Sequence, residues 1–317
     1  EEALDADLDL NAVDVVTDPR SHDPLVILLL EAGLHVICEK PLSLTVTRGI
    51  CMVEAADRSG RVLATAENNR RAPMNRLSKS CMDAGLIGEI NFLLEISSNP
   101  GGKISGTTWR HRLAMGGVLF DVGIHTGYVL EEVLGPVKSV NSQMQIIQSH
   151  IIGNEFNGKK VNVSVDSEDC FSTLMEFESG AQGHWTLHFA SQGETLFKRL
   201  IFGSEGTINM PKDRSGITVK LQRGSEILEG DQLLEVLPNY HLNEIEARLF
   251  GERPTSFSFS GEETDRKLIA AEFADFVEAI HMGRAPESDG SVGLRSVALI
   301  YAIMESALLK HSVTVDD

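Results

Sequence analysis

From Ala12 to Ala84, apolar runs of strand length alternate with stretches of helical period. Ala12 to Thr17 reads as a strand closed by Asp18-Pro19, Pro24 to Ala32 as a helix stopped by Gly33, and His35 to Glu39 as a second strand. Strand, helix and strand fit the length of one βαβ unit and predict parallel pairing. Helices over Thr45 to Ser59 and Met74 to Ala84, stopped by Gly60 and Gly85, flank a further strand at Val62 to Ala66. From Glu89 the alternation ceases. Strand-like runs at 89–97, 137–148, 170–176, 183–189, 198–202, 207–210 and 217–221 follow one another across turns such as Glu178-Ser179-Gly180 and Ser204-Glu205-Gly206, which predicts an α+β region with a large, mostly antiparallel open sheet. Two late helices, Asp265 to Met282 and Gly293 to Lys310, are expected to pack back on the first region, with Val313 to Val315 as a last edge strand.

Composition narrows the function classes. A hydrophobic content of 42% over 317 residues suits an ordinary two-domain globular chain, and a net charge of −18 disfavours phosphate backbones and anionic lipid surfaces, so neither nucleic acid nor membrane is expected as a partner. The acidic start, Glu1-Glu2-Ala3-Leu4-Asp5, is unlike a signal peptide, and Leu25 to Leu30 is too short to span a bilayer. Cys38, Cys51, Cys81 and Cys170 form no C-x-x-C pair, which points to reduced thiols and a cytoplasmic protein.

Two stretches carry candidate chemistry. His35-Val36-Ile37-Cys38-Glu39-Lys40-Pro41 delivers an acid and a base to the C-terminal end of a strand, the edge where open parallel sheets bind ligands. Trp109-Arg110-His111-Arg112 is followed by Gly116-Gly117 and then by Asp121 and His125, four apart and so expected on one face of a helix, with the glycines permitting close approach by a ligand. Alone, a D-x-x-x-H pair is more often a surface ion pair, and a Glu-Lys-Pro more often a solvated turn.

Together with Thr17-Asp18-Pro19-Arg20-Ser21-His22 and Glu31-Ala32-Gly33-Leu34, these stretches resemble the Gfo/Idh/MocA family of nicotinamide-dependent oxidoreductases, whose patterns are T-P-x-x-x-H, A-G-K-H-V-x-C-E-K-P and G-G-G-x-x-x-D-x-G-x-H. Asp18, Leu34 and Met115 depart from those patterns. Glu67-Asn68-Asn69-Arg70-Arg71-Ala72-Pro73 falls where the family usually reads G-F-x-x-R-F-x-P, with Arg71 aligned on its arginine and Asn68 a candidate contact to the nicotinamide. The alternative for Arg70 and Arg71 is a solvated cap.

The resemblance implies a partial Rossmann-like α/β domain over 1–85, followed by an α+β substrate-binding and oligomerisation domain over 86–317. It implies a cis Lys40-Pro41 bond, NAD or NADP as cofactor, and a sugar, cyclitol or related polyol as substrate. Lys40, Asp121 and His125 take the catalytic roles: an imidazole, which titrates near neutral pH, removes the hydroxyl proton as hydride leaves, Lys40 stabilises the alkoxide, and Asp121 orients the imidazole or a neighbouring hydroxyl. Thr17, Pro19, His22, Glu39, Lys40, Pro41 and Asn68 are the expected cofactor contacts; ahead of the glycines, Trp109 and Arg110 offer a sugar-stacking face and a hydroxyl donor and join the catalytic three as substrate contacts, the alternative being a core tryptophan and a surface arginine. A homodimer or homotetramer through the second sheet is expected. No G-x-G-x-x-G turn precedes Ala12, residues 1–10 read as the tail of a helix, and the first two βαβ repeats of the expected domain are missing from these 317 residues, so weak binding of the whole cofactor is expected. Two other classes compete: a catalytically silent scaffold, and a metal-dependent hydrolase or lyase using Asp121, His125 and histidines 150, 184, 188 and 241, for which no H-E-x-x-H spacing exists.

Overall fold

The computed structural model describes residues 10–100, 108–154 and 159–316, so the expected helix tail at 1–10 lies almost wholly outside the described residues. Three short strands, β1 (Ala12–Val15), β2 (His35–Glu39) and β3 (Leu63–Ala66), form a parallel sheet in the order β1-β2-β3, with Val13 opposite Val36 and Cys38 opposite Thr65. Helices α1 (His22–Glu31), α2 (Val46–Ser59) and α3 (Pro73–Asp83) connect and continue them. Their ends follow local chemistry. Thr45 caps α2 by accepting the Arg48 amide at 3.2 Å, and Gly60 ends the helix in the left-handed conformation, φ 63°.

The second sheet has nine strands in the order β13-β12-β11-β10-β4-β9-β8-β5-β14. They are β4 (Ile90–Ser98), β5 (Val137–Gln145), β8 (Cys170–Phe177), β9 (Gln182–His188), β10 (Leu196–Gly203), β11 (Thr207–Met210), β12 (Lys220–Arg223), β13 (Glu226–Glu229) and β14 (Val313–Thr314). Every neighbouring pair is antiparallel except β4 with β9, which run parallel. The residues that alternate inward along β4, β9 and β10, including Leu93, Glu95, Trp185, Arg199 and Ile201, are buried, while Phe92, Leu94, Ile96 and Leu200 on the opposite face are half-buried.

Strand boundaries shift where side chains claim the backbone. The strand expected to reach Gln148 ends at Gln145 because the amides of Ile147 and Gln148 turn to the Asp169 carboxylate, each at 2.8 Å. The strand expected from Ile217 begins at Lys220, since Gly216 is engaged with the Phe257 amide at 3.0 Å. A separate hairpin, β6 (His150–Asn154) with β7 (Lys160–Ser164), was not signalled by the pattern; it carries a small core of Ile151, Val163 and Val165. Short helices α5 (Gln232–Val236) and α6 (Glu244–Phe250) also lacked a readable signal.

Helix α4 (Ile124–Leu134) and the late helices α7 (Gly261–Met282) and α8 (Gly290–Leu309) join the two sheets. Helix α8 lies against α2 and β3 on one side and β5 and α4 on the other. Its approach to β3 depends on Gly293, where an added Cβ would sit 2.2 Å from Thr65 Oγ1. Leu113–Leu134 and Gly290–Leu309 are long and apolar enough to cross a bilayer, yet 72% and 56% of their most apolar windows are buried inside the molecule. Opposite α8, Phe276 of α7 packs on Ile37, Ala64 and Ala66. The C-terminal ends of β2 and β3 thereby face the inner side of β4, β9 and β10 across a shared cavity.

Candidate active site

The cavity has a volume of about 760 Å³ and draws its wall from both sheets, with Lys40, Asn68, Asp121, His125, Glu95 and Asp213 among its lining. Lys40 leaves β2 just before a cis bond to Pro41, as the resemblance implied. Its Nζ donates to the Asp121 main-chain carbonyl at 2.7 Å and to Asp121 Oδ1 at 3.2 Å. The other carboxylate oxygen, Oδ2, lies 2.9 Å from Arg110 Nε, so one buried carboxylate holds two cations from different parts of the chain.

Asp121 and His125 are not on one continuous α-helix. Leu119–Gly123 forms a wide π turn in which the Ile124 amide bonds back to the Leu119 carbonyl, and α4 begins only at Ile124. Such turns re-aim side chains and release carbonyls, here the Asp121 carbonyl that Lys40 takes. The expectation that Asp121 orients His125 gives way to a different pairing: His125 Nδ1 meets Glu67 Oε2 at 2.7 Å. Glu67 is fully buried, and its Oε1 accepts the Asn69 amide at 2.7 Å. The glycines before the turn also serve another neighbour than a ligand. Gly117 has φ 73°, and a Cβ there would lie 1.8 Å from Ser167 Oγ and 2.8 Å from the Glu168 carboxylate, which itself caps the Leu119 amide at 2.7 Å.

Acids gather around the cavity. Burial pushes the Glu272 carboxyl of α7 up to about 9, with the neighbouring Glu67 and Glu39 charges adding to the rise. Burial likewise raises Glu39, against the opposing pull of Lys40 and His125. On the second sheet, fully buried Arg199 binds Glu95 Oε2 at 2.6 Å and Asp213 Oδ1 at 2.7 Å. The two acids diverge: burial dominates at Glu95 and lifts it to about 7 despite Arg199, whereas at Asp213 burial is outweighed by Arg199 and Asn75 and the carboxyl is held low.

Of the expected cofactor contacts, Glu39, Lys40 and Asn68 line the cavity, and Thr17, Pro19, His22 and Pro41 do not. His22 is fully buried with its ring nitrogens 2.9 and 3.2 Å from the Pro41 and Thr17 carbonyls, so it packs between the loop after β1 and the cis turn, its neutral ring donating to one of the two. Trp109 is also outside the lining: its ring carries the Arg110 guanidinium at 5.5 Å and so supports a cavity residue. Arg70 and Arg71 form no solvated cap. Arg70 pairs with Glu132, and Arg71, 2% exposed, pairs with Asp275 at 2.6 Å and Glu287 at 3.0 Å. Histidines 150, 184, 188 and 241 do not line the cavity, and among the described residues no three His, Cys, Asp or Glu side chains cluster as metal ligands.

Sequence reasoning missed Glu67, Glu95, Asp213 and Glu272. Glu67 stood inside a quoted motif, and its signal was an acid directly after the wholly buried β3. Glu95 was legible as a charge at an inward position of β4; Asp213 and Glu272 sit on a loop and a helix face with no local sign of where they point.

Residues 1–67 match a family model described as oxidoreductase family, NAD-binding Rossmann fold, and residues 76–209 match the GFO/IDH/MocA C-terminal domain. The chain is 29% identical over 219 residues to a levoglucosan dehydrogenase of Pseudarthrobacter phenanthrenivorans, covering 64% of this chain and 55% of that protein. It is 24% identical over 318 residues to an inositol 2-dehydrogenase of Rhizobium meliloti, covering 99% and 83%. The matched stretches of levoglucosan dehydrogenase and of a D-apiose dehydrogenase from Paraburkholderia graminis amount to about half of each, 55% and 52%. Among solved structures, an NAD-binding oxidoreductase from Klebsiella pneumoniae superposes with TM-score 0.81 at 24% identity, over 100% of this chain and 82% of the other. Levoglucosan dehydrogenase in complex with NADH gives 0.78 at 24%, over 100% and 83%. At that identity the superpositions establish the fold.

Proposed function

The chain belongs to the Gfo/Idh/MocA oxidoreductase family, and from that premise we propose that it serves an NAD(P)-dependent oxidation or reduction of a secondary alcohol or ketone on a sugar, cyclitol or related polyol. The observation that carries this reading is the meeting of Lys40, from the first sheet, with Asp121 and His125 of the second region in one cavity. Relatives with printed activities on levoglucosan and inositol support the substrate class.

The nicotinamide end of a dinucleotide fits the residues present. Asn68 Oδ1 and Glu272 Oε2 are buried in the cavity wall without a hydrogen-bond partner, and a carboxamide, with N–H donors and a carbonyl acceptor, complements an amide oxygen and a neutral acid. A bound nicotinamide would supply the hydride acceptor or donor. Lys40 Nζ, already oriented by Asp121, donates to the substrate oxygen and stabilises its charge as it becomes an alkoxide. His125 takes the hydroxyl proton in the oxidative direction and returns it in reduction. Glu95 and Asp213 present carboxylate oxygens to the cavity, suitable acceptors for the remaining hydroxyls of a polyol.

The half-buried apolar face of the nine-stranded sheet, with Phe92, Leu94, Ile96 and Leu200, supports assembly into a homodimer or homotetramer through that face, and the unpaired cysteines suit a reducing cytoplasm. Light scattering at micromolar concentration checks the assembly, a monomer being the contrary result. The activity is tested by offering NAD and NADP with a panel of sugars and cyclitols and following nicotinamide absorbance. With the whole cofactor expected to bind weakly, turnover of at least one polyol is expected at high cofactor concentration; its absence there, in a chain that binds nicotinamide mononucleotide, would leave the silent-scaffold reading in its place.

A further inference from the structure

We propose that Glu67 is the positioning residue that makes His125 a base, by holding the imidazole in the tautomer protonated on Nδ1 so that Nε2 is the free acceptor toward the cavity. The proposal rests on the reading that His125 faces the reacting hydroxyl, and it assigns to Glu67 the role the sequence pattern offers to Asp121.

The geometry separates the two acids. Asp121 turns Oδ1 to Lys40 and Oδ2 to Arg110, and it makes no hydrogen bond to the imidazole. Glu67 Oε2 is 2.7 Å from His125 Nδ1, and the carboxylate cannot turn away, because its Oε1 accepts the Asn69 amide at 2.7 Å and the side chain is fully buried at the end of β3. An ionised carboxylate only accepts hydrogen bonds, so a neutral imidazole against it must place its proton on Nδ1. Among the described residues Nε2 has no hydrogen-bond partner, and His125 is 18% exposed in the cavity wall. When the substrate proton reaches Nε2, the resulting imidazolium keeps its Nδ1–H on Glu67. Glu67 takes no proton; it pairs with the charge that forms.

Other charged groups near the imidazole do not compete for Nδ1. Glu39 and Asp213 act on His125 only through space, Lys40 and Asp121 bind each other, and Glu272 is a neutral acid near Glu67. Division of labour follows: Lys40, Asp121 and Arg110 form an anchored charge cluster for the substrate oxygen, while Glu67 and His125 form the proton-accepting dyad.

The test reads the tautomer directly, on the full chain without cofactor or substrate. Proton–nitrogen correlation NMR is recorded at alkaline pH, where imidazoles are neutral, with the His125 signals assigned by their loss in His125→Gln. The wild-type ring is expected to be protonated on Nδ1. In Glu67→Gln the side-chain amide can present N–H to Nδ1, and the ring is expected to shift toward the Nε2-protonated form. Turnover should fall roughly 10²- to 10⁴-fold in Glu67→Gln with little change in KM, the range a misplaced general base costs. A wild-type ring protonated on Nε2, or a Glu67→Gln spectrum with the wild-type tautomer, would overturn the proposal. The expected tautomers in a chain with no dehydrogenase activity would uphold the role of Glu67 in holding His125 and count against the reaction instead. A circular dichroism melt of Glu67→Gln close to wild type excludes misfolding as the cause.

Discussion

The segment from Glu67 to Arg76 feeds two ionic clusters that are built alike and end differently. Its first residues point into the cavity, where Glu67 meets His125 and Asn68 lines the wall beside Lys40, Asp121 and Arg110. Its last residues, Arg71 and Arg76, turn the other way into Glu246, Asp275 and Glu287 and fasten α3 to α6, α7 and the turn before α8. In the second cluster Arg71 and Glu246 are 2% and 1% exposed and each charge meets an opposite charge. In the first, Lys40, His125 and Arg110 keep 15%, 18% and 28% exposure, and Asn68 Oδ1 and Glu272 Oε2 remain unpartnered. Arg71 Nε is unpartnered too, so what sets the clusters apart is that the second lies outside the lining of this cavity and each of its charges is held by an opposite charge, whereas the first faces open space. The two therefore respond differently to mutation.

The sharpest break is expected from Lys40→Ala and His125→Ala. Each should lower turnover by about 10²- to 10⁴-fold with a smaller loss of stability than a fully buried cation would cause, because the Asn69 amide still holds Glu67 and Arg110 still faces Asp121. Full activity in both variants, measured with whichever polyol the wild type turns over, would sink the assignment of this cluster. Arg71→Ala is the mirror image: removing a fully buried cation leaves Asp275 and Glu287 short of a partner, and we expect a loss of about 3 kcal/mol in chemical denaturation. Any kinetic effect should be confined to conditions in which the variant is partly unfolded.

Asp121→Asn sharpens the contrast within the cavity. The amide oxygen can still accept from Lys40, and the main-chain carbonyl still holds Nζ at 2.7 Å, so turnover should drop only about tenfold. A loss as large as that of His125→Ala would return to Asp121 the role of orienting the imidazole.

The smallest effect separates two acids three residues apart on α7. Glu272 is lifted by burial to about 9, so between its ordinary value of 4.5 and about 9 the folded chain binds more protons than the unfolded one, and stability falls as pH rises through that window. Asp275 is held low: burial is its largest single influence and acts upward, but the Glu287 amide, Arg71 and Arg284 together outweigh it. Its stabilisation is present above the ordinary value of 3.8 and is lost as pH falls through the lower folded value. Glu272→Gln should therefore raise the melting temperature by a few degrees at pH 8 and by less near pH 5, and Asp275→Asn should lower it at pH 8 with a deficit that shrinks below about pH 4. Melting curves of the two variants across pH check this, and parallel behaviour would show that the two regions are not electrically distinct.

Much of this was legible because it is written locally. The alternation over Ala12 to Ala84 and its loss beyond Glu89 follow from which side chains can be buried at a period of two or of 3.6, and that alone separates a parallel sheet from a largely antiparallel one. The helix limits at Thr45 and Gly60 are likewise properties of a few consecutive residues, whereas the cis bond before Pro41 was implied by the family resemblance. The wide turn at Leu119–Gly123 was not, since its D-x-x-x-H spacing is equally that of an α-helix, and it is the enclosing contacts of Gly116, Gly117 and Glu168 that accompany the wider turn.

What tertiary structure alone decided is partner choice. The sequence supplied Asp121, His125, Glu67 and Arg71 as capable groups, and chain spacing favoured pairing Asp121 with His125. Folding gave Asp121 to Lys40 and Arg110, His125 to Glu67, and Arg71 to Asp275 and Glu287. Several of these partners are dozens to hundreds of residues apart. A carboxylate accepts whichever donor burial brings within about 3 Å, and sequence distance carries no information about that choice.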